Sequence, residues 1–335
     1  MSGVVARPRA PMNDALRAVQ APVRDRLERV IEEMHRIVSS DLPMVEQVSG
    51  HLLRMRGKMF RPTLTLLSSD LDGDPEPRAV TLAAVIELMH LATLVHDDSV
   101  DHSATRRGLP TVNSMFSHQV SVIMGDFLYS RALRALVTIR DFDVLRVVTD
   151  VSSELSMGEM RQLAAIDALS FGEREYELLI RAKTASLLSA ACESGALCGA
   201  AQYREPLARF GDRLGMAFQV VDDILDYTED ESVTGKPSGN DLREHKVTLP
   251  LIAALPVVSP AARARVDALF ADDHPGDEAI QDVMAIVADA GGIEYARRTG
   301  DRYAQEAEDA LATVPESPAR AALLEALAYV TDRRW

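Results

Sequence analysis

Apolar residues recur at intervals of three and four along most of the chain, which is the spacing of amphipathic α-helices. Alternating apolar and polar runs, typical of half-buried strands, are hard to find. The pattern predicts an all-α protein, a single-domain bundle of roughly a dozen helices. The clearest predicted helical segments are Leu16–Ile37, Val80–Leu94, Val120–Leu136, Val144–Ile166, Tyr176–Gly195, Pro206–Asp226, Lys246–Leu255, Ala261–Phe270, Glu278–Ala290 and Pro318–Tyr329.

Three breaks interrupt these segments, at residues 70–79, 105–111 and 229–241. Each gathers Gly, Pro, Asp or Ser, the residues that end helices and form turns. None is long enough to be a domain linker, so we expect residues 1–335 to form one domain. Residues 1–12, with two prolines, are expected to form a loose N-terminal arm.

Composition and charge narrow the functional classes. The 335 residues include 36 Lys and Arg against 51 Asp and Glu, for a formal charge of −15. This balance argues against a sequence-independent nucleic-acid binder. No stretch approaches the uninterrupted apolar length of a membrane span, no secretory signal is visible, and two cysteines make no disulfide framework. We therefore expect a cytoplasmic protein without a membrane anchor.

Two groups of aspartates follow apolar helices with the same D-D-x-x-D spacing. On a helix, positions i and i+4 lie on one face, so the outer aspartates of each group project together. One such group is most simply a solvated helix end. Two copies instead favour a cation, and Mg²⁺ suits carboxylates because it completes its shell with water and phosphate. We name these the first aspartate cluster, Asp97, Asp98 and Asp101, and the second aspartate cluster, Asp222, Asp223 and Asp226.

Cationic residues accompany both clusters. Arg106 and Arg107 follow the first cluster, and guanidinium groups bind phosphate oxygens through two hydrogen bonds at once. Lys58 and Arg61 are expected on one face of a helix that opens at residues 57–62. Each lysine alone is more simply a surface charge, but together these residues predict that a diphosphate is bound or leaves. The remaining cations of this set are Lys183, Lys236 and Lys246.

Five motifs occur in an order that resembles the trans-isoprenyl diphosphate synthases. The resemblance runs from about residue 57 to residue 250 and most resembles the medium- and long-chain polyprenyl enzymes. Small departures are Arg56 in place of a usual glycine, Met59 in place of a common arginine, and His245 in place of a frequent glycine. The motifs are GKMFRP (57–62), HDDSVDHSATRRGLPT (96–111), KT (183–184), FQVVDDILD (218–226) and GKPSGNDLREHKVTLP (235–250).

The resemblance implies a role for each matching residue. Asp97 and Asp101 would bind two Mg²⁺ ions and Asp222 a third, with Asp226 acting through water and Mn²⁺ able to substitute. Lys58, Arg61, His90 and Arg107 would bind the diphosphate of isopentenyl diphosphate, the C5 donor. The allylic diphosphate would be held by Arg106, Lys183, Thr184, Gln219, Lys236 and Lys246.

The implied reaction is a Mg²⁺-dependent, head-to-tail (1′-4) condensation of isopentenyl diphosphate with an allylic diphosphate. Diphosphate leaves, the donor double bond attacks the allylic cation, and a proton is lost. The resemblance also implies helices surrounding a deep apolar cavity, with both clusters at its mouth, and a homodimer. Because the product would be a lipid, transient membrane contact at its release is expected. The residues expected to be catalytic are Asp97, Asp101, Arg106, Lys183, Asp222 and Lys236.

Product length is suggested by the helix upstream of the first cluster, which the resemblance places along the growing chain. Thr93, Ala92 and Met89 lie four, five and eight residues before Asp97, roughly 6, 8 and 12 Å along the axis. Enzymes with short products often carry Phe or Tyr at the first two positions, and both are small here. We expect a product of C30 or longer, with a farnesyl- or geranylgeranyl-type enzyme as the alternative if a neighbouring helix blocks the tunnel.

Other interpretations are kept open. Glu32–His35 and Glu87–His90 have the Glu-x-x-His spacing of di-iron bundles, with Glu154 and Glu159 as further candidates. Terpene cyclisation, head-to-head condensation and a non-catalytic synthase subunit share the substrate class. Such proteins usually lack the second cluster or some of the basic residues. Polar residues at 158–162 mark either a cavity-facing patch or an exposed helix face.

Overall fold

The structure is a computed structural model that describes residues 12–55, 57–73, 75–164, 168–228 and 238–332. These residues are almost entirely helical, which confirms the all-α prediction. In chain order the α-helices are α1 (Met12–Gln20), α2 (Arg24–Val38), α3 (Pro43–Arg54), α4 (Phe60–Ser69), α5 (Arg78–Val100), α6 (Val112–Met115), α7 (His118–Thr138), α8 (Phe142–Ala164), α9 (Glu173–Ile180), α10 (Ser186–Ala196), α11 (Arg204–Thr228), α12 (Asn240–Arg243), α13 (Leu249–Ala254), α14 (Pro260–Phe270), α15 (Asp277–Asp289), α16 (Gly292–Ala310) and α17 (Pro318–Thr331).

Besides the α-helices, the described residues include a two-residue antiparallel ribbon, a wide helical turn and four short 3-10 helices at Ala21–Val23, Ala168–Ser170, Ala201–Tyr203 and Leu311–Thr313. Strand β1 (Thr105–Arg106) pairs with β2 (Leu109–Pro110), with Arg106 opposite Leu109. Between α9 and α10, residues Arg181–Ala185 form a turn of π-helix. The sequence pattern predicted neither the ribbon nor the π turn.

The chain divides into two compact units. Unit 1 comprises the described residues of Met1–Val148, Ala191–Glu205 and Val314–Tyr329, and unit 2 those of Thr149–Ala190, Pro206–Thr313 and Val330–Trp335. The first aspartate cluster belongs to unit 1 and the second to unit 2. The expectation of one domain stays a prediction, and the expected loose arm lies outside the described residues apart from Met12, which begins α1.

Unit 1 is organised around α5, against which α2, α4 and α7 pack. This helix is apolar on most sides, as expected for a helix with neighbours all around it. By length and composition alone α5 could cross a membrane, which corrects the expectation that no segment approaches that requirement. Two-thirds of its most apolar window (67%) is buried within the protein, as in the core helix of a soluble protein.

Unit 2 has a separate apolar core. Val220 and Ile224 of α11 pack with Leu251 of α13, Val283 of α15 and Ala296 of α16. At the start of α14, the Ser259 side chain accepts a hydrogen bond from the backbone N–H of Ala262. Packing in this core fixes the apolar face of α11, which orients its polar face.

The observed helices differ from the predicted segments in three ways. The segment Leu16–Ile37 is two helices, because Pro22 lies in a tight turn at Ala21–Val23. The segment Tyr176–Gly195 is divided by the π turn. Helices α3, α6, α12 and α16 were not predicted.

Candidate active site

The first aspartate cluster ends α5. Asp101 is the C-terminal cap of the helix, and its backbone N–H donates to the Asp97 carbonyl at 2.8 Å. The middle residue, Asp98, is buried and accepts a hydrogen bond from Arg106 Nε at 2.7 Å. Burial raises the pKa of Asp98, and the Arg106 guanidinium opposes that rise. The structure therefore gives Asp98 a partner within the protein. The metal-binding role of Asp97 and Asp101 stays a prediction.

The β-ribbon presents the two arginines that follow this cluster. Its turn is Arg107-Gly108, with φ of +52° and +72°, the left-handed pair that a two-residue hairpin requires. Arg107 donates to the Met55 carbonyl at 2.7 Å. Its guanidinium lies so close to Gly57 that a Cβ there would be 2.6 Å from it. Glycine at 57 is therefore needed for Arg107 to reach this position.

The two arginines Arg61 and Arg107, together with the imidazole of His90, form a cluster beside the buried side chain of Glu87. Burial lowers the pKa of both arginines and raises that of Glu87, and the positive charges of these arginines oppose the rise at Glu87. Burial, together with the arginines, also lowers the pKa of His90 well below its ordinary value, so this imidazole is neutral near pH 7. Among the described residues, the buried Arg61 Nε has no hydrogen-bond partner.

Such a cluster is suited to an anion. A buried donor without a partner is costly, and a diphosphate oxygen would satisfy it. The structure thus brings together three of the four residues predicted for the donor diphosphate, and it adds Glu87, which the sequence suggested only as a di-iron ligand.

Lys58, the fourth of these residues, lies before α4 and not on it. Met59, with φ of +53°, is the N-terminal cap of α4, so the expected i, i+3 placement of Lys58 and Arg61 on one helix face is wrong. Lys58 Nζ donates instead to the Tyr329 hydroxyl at 2.8 Å. Gln20 donates to the Lys58 carbonyl at 2.8 Å. Both partners come from distant helices, α17 and α1, and no local signal in the sequence indicates them.

In unit 2, Lys183 and Thr184 lie on the π turn. Single π turns are rare in helices and often occur at functional sites. Lys183 Nζ contacts Glu159 Oε1 and Gln162 Oε1, both at 2.7 Å. The polar patch at 158–162 is thus the partner of Lys183, which answers a question that the sequence left open.

The second aspartate cluster has a buried centre. Asp223 accepts hydrogen bonds from the Tyr176 hydroxyl at 2.5 Å and from Gln219 Nε2 at 2.8 Å. Thr184 donates in turn to Gln219 Oε1 at 2.9 Å. Burial, with Asp241 nearby, raises the pKa of Asp223 well above its ordinary value. The predicted pair Thr184 and Gln219 is therefore in direct contact, and Tyr176 is an addition that the sequence did not indicate.

Asp226 organises the segment that follows α11. Its carboxylate accepts the backbone N–H groups of Asn240 at 3.1 Å and Asp241 at 2.9 Å. Burial, reinforced by Asp226, raises the pKa of Asp241 to about 7. Lys246 Nζ pairs with Glu244 Oε2 at 2.5 Å. Lys236 lies outside the described residues, as does most of the predicted break at 229–241.

The residues expected to set product length lie on α5. Met89 and Ala92 are almost fully buried, and Thr93 is half-buried with its hydroxyl donating to the His90 carbonyl at 2.8 Å. Met124 and Leu128, which could block a tunnel, are buried on α7, which packs against α5. The tunnel and the deep cavity stay predictions.

Within the described ranges, no group of three or more His, Cys, Asp or Glu side chains forms a complete metal-binding cluster. The outer aspartates nevertheless fit Mg²⁺, which takes oxygen ligands and often only one or two carboxylates from a protein. The di-iron alternative loses two of its four candidate carboxylates, because Glu87 lies near arginines and Glu159 pairs with Lys183.

Comparison with known proteins gives a consistent result. Residues 42–287 match the polyprenyl synthetase family. An all-trans-nonaprenyl-diphosphate synthase (geranyl-diphosphate specific) of Rhodobacter capsulatus is 38% identical over 317 residues, covering 94% of this chain and 97% of the relative. The crystal structure of a decaprenyl diphosphate synthase from the same organism has a TM-score of 0.90 at 34% identity, covering 97% of this chain and 100% of the other.

A second solved structure bears on ligands. A polyprenyl synthase from Caulobacter crescentus, complexed with calcium and isoprenyl diphosphate, has a TM-score of 0.90 at 30% identity, covering 98% of this chain and 100% of the other. The predicted family resemblance, the prenyltransferase class and the head-to-tail condensation are confirmed. The chain belongs to the polyprenyl synthetase family.

Proposed function

We propose that the protein is a Mg²⁺-dependent synthase that elongates an allylic diphosphate with isopentenyl diphosphate to an all-trans polyprenyl diphosphate of C30 or longer. The observation that carries the proposal is the cluster of Arg61, His90 and Arg107, in which the buried Arg61 Nε–H has no partner among the described residues. A cluster with surplus positive charge is built for an anionic ligand.

We propose that this cluster and Lys58 bind the donor diphosphate. Lys58 has three donors, of which Tyr329 takes one, so two can turn to phosphate. His90 stays neutral at physiological pH and acts as a hydrogen-bonding group and not as a charge. Binding of the diphosphate would satisfy Arg61 and hold the C5 unit in one orientation.

We propose that Arg106, Lys183, Thr184, Gln219, Lys236 and Lys246 bind the allylic diphosphate. Lys183 must leave or share its partners Glu159 and Gln162 when phosphate binds. Before substrate binds, these partners hold the Lys183 ammonium group in position. The chain's own residues thus orient the substrate and stabilise the negative charge of the departing diphosphate.

Magnesium would be held by Asp97, Asp101 and Asp222, with Asp226 acting through water and Mn²⁺ able to substitute. When bound, it supplies charge that helps the diphosphate to leave. A set of three ions per active site is our proposal, and the calcium in the Caulobacter structure supports the use of a divalent ion in this family.

The long product is supported by the small residues Ala92 and Thr93 on α5 and by the names of the relatives, which specify nine and ten isoprene units. A short-chain enzyme is the second candidate, because Met124 and Leu128 are buried on the adjacent α7. We also propose a single-domain homodimer in the cytoplasm with transient membrane contact. Free thiols at Cys192 and Cys198 suit a reducing compartment.

The test is a product assay. Purified protein, Mg²⁺, labelled isopentenyl diphosphate and farnesyl diphosphate are incubated, and the dephosphorylated products are sized. A ladder that ends at C30 or longer supports the proposal. A stop at C20 keeps the reaction but favours the short-chain candidate. Absence of C5 addition with every allylic starter would contradict the proposed function, and light scattering on the same sample tests the homodimer.

A further inference from the structure

Three hydrogen bonds in unit 2 form a continuous chain from the buried side of α11 to the π turn. They run from the Tyr176 hydroxyl to Asp223, from Gln219 to Asp223, and from Thr184 to Gln219, with lengths of 2.5, 2.8 and 2.9 Å. Asp223 is only 5% exposed and Tyr176 only 2%. Both carboxylate oxygens of Asp223 are thus occupied by protein donors.

The chain fixes the orientation of one amide. In the structure Gln219 faces Asp223 with its amide nitrogen, which donates to Asp223 Oδ1. Its carbonyl oxygen then faces Thr184, whose hydroxyl donates to it. Without Asp223, either end of the Gln219 amide could face Thr184.

Tight packing keeps the members of the chain together. A Cβ at Gly215 of α11 would lie 2.4 Å from the Ala185 Cα in the π turn, so α11 and the turn are in backbone contact. Tyr176 lies on α9, which runs directly into that turn. The side chains therefore have little freedom to separate.

We infer that Tyr176 and Asp223 are positioning residues for the allylic-diphosphate site: they fix the amide of Gln219, and through it the hydroxyl of Thr184, and Asp223 is not a metal ligand. The inference rests on the proposed function. In the second aspartate cluster, the outer residues would then bind metal and the middle residue would orient the Gln219 amide.

The first test removes one hydroxyl. Tyr176→Phe should raise the KM for farnesyl diphosphate about tenfold, because one hydrogen bond to a carboxylate is lost. The KM for isopentenyl diphosphate should stay within about twofold. Equilibrium binding of farnesyl diphosphate with Mg²⁺, in the absence of the donor, should weaken by the same factor.

The matched control is Tyr303→Phe. Tyr303 is also buried, lies in unit 2, and donates to a carboxylate, Glu177 Oε1, at 2.5 Å. It should lower the melting temperature about as much as Tyr176→Phe and leave both KM values unchanged. If the two variants have the same kinetics, or if Tyr176→Phe weakens both substrates equally, the inference is overturned.

The second test separates positioning from metal binding. Asp223→Asn keeps the shape and an acceptor for Gln219, and the Tyr176 hydroxyl can accept the new N–H, so activity should fall less than about fivefold. Asp222→Asn removes a proposed metal ligand and should lower kcat by about a thousandfold or more. Equal losses in the two variants would contradict the inference. A wild-type protein that adds no C5 unit would instead refute the proposed function, independently of both variants.

Discussion

The two aspartate clusters have the same spacing in the sequence but different surroundings in the structure. Each has a buried middle residue: Asp98 is 4% exposed and Asp223 5%. Asp98 is held by the charged guanidinium of Arg106, whereas Asp223 is held by the neutral donors Tyr176 and Gln219. A repeated motif therefore does not imply a repeated environment.

The third residues also differ. Asp101 ends α5 as its cap, whereas Asp226 lies two residues before the end of α11 and caps the next helix with its carboxylate. The first cluster depends on an arginine that we also assign to the allylic diphosphate, so substrate can alter it. In the second cluster, both carboxyl oxygens of Asp223 already accept hydrogen bonds from protein donors.

The largest effects should come from the outer aspartates. We expect Asp97→Asn and Asp222→Asn to lower kcat by about a thousandfold or more, because each would remove a charged metal ligand. Asp226→Asn should cost less, since its carboxylate already serves two backbone N–H groups. Steady-state kinetics across a Mg²⁺ titration measures this order. A loss for Asp226→Asn as large as that for Asp222→Asn would make the clusters more alike than we infer.

The middle aspartates should separate the clusters at an intermediate scale. Asp98→Asn leaves Arg106 without its counter-charge, and we expect a loss of about tenfold to thirtyfold in kcat/KM for the allylic substrate. Asp223→Asn, whose partners are neutral, should lose less. The salt dependence of kcat/KM distinguishes the two variants, because the Asp98–Arg106 pair is ionic whereas the partners of Asp223 are neutral. Equal losses of kcat/KM in Asp98→Asn and Asp223→Asn would argue that the two middle aspartates are not held by different kinds of partner.

Ala92 and Ala217 each lie five residues before the first aspartate of a cluster. Replacing them tests whether the product tunnel lies beside the first aspartate cluster alone. Ala92→Phe should shorten the product by at least two isoprene units while kcat changes only several-fold. Ala217 lies at the same spacing before Asp222 but in the apolar core of unit 2. Ala217→Phe should destabilise the fold by about 1–3 kcal/mol through overpacking, with product length unchanged. An unchanged product distribution for Ala92→Phe would show that the tunnel assignment is wrong.

Local patterns in the sequence predicted much of the fold and of the candidate site. The all-α fold followed from the periodicity of three and four, and the clusters and cations were identifiable because they occur in short local motifs of the residue types that metal and diphosphate chemistry uses. The missed helix α16 has a physical reason: its buried positions include Gly292, Ala296, Thr299 and Gly300, which carry little apolar signal.

Contacts between distant segments could not be predicted in this way. Tyr329 reaches Lys58 across 271 positions, and Tyr176 reaches Asp223 across 47. Nothing in the sequence around either tyrosine distinguishes it from one in an ordinary core. Glu87 was visible only as a possible metal ligand, because its arginine neighbours assemble through the fold.

The smallest effect concerns charge balance, which also differs between the clusters. The first cluster has Arg106 beside it, whereas Asp241 lies near Asp226 and Asp222, and burial with these charges raises its pKa from 3.8 to about 7. Folded protein keeps this proton to about pH 7, whereas unfolded chains lose it near pH 4. The metal-free protein should therefore lose stability as pH rises from about 4 to 7.

Asp241→Asn removes this titration. One pKa unit corresponds to about 1.4 kcal/mol, so the full shift can lower the free energy of unfolding by at most about 4 kcal/mol. We expect the variant to recover about 1–2 kcal/mol of unfolding free energy at pH 8 and nothing at pH 4. Urea unfolding of chelator-treated protein at both pH values measures it, with the exposed Asp289→Asn as control. Saturating Mg²⁺ should abolish the gain, because metal would then supply the positive charge that Arg106 already provides in unit 1. A gain that persists with Mg²⁺ would mean that the second cluster does not bind the ion.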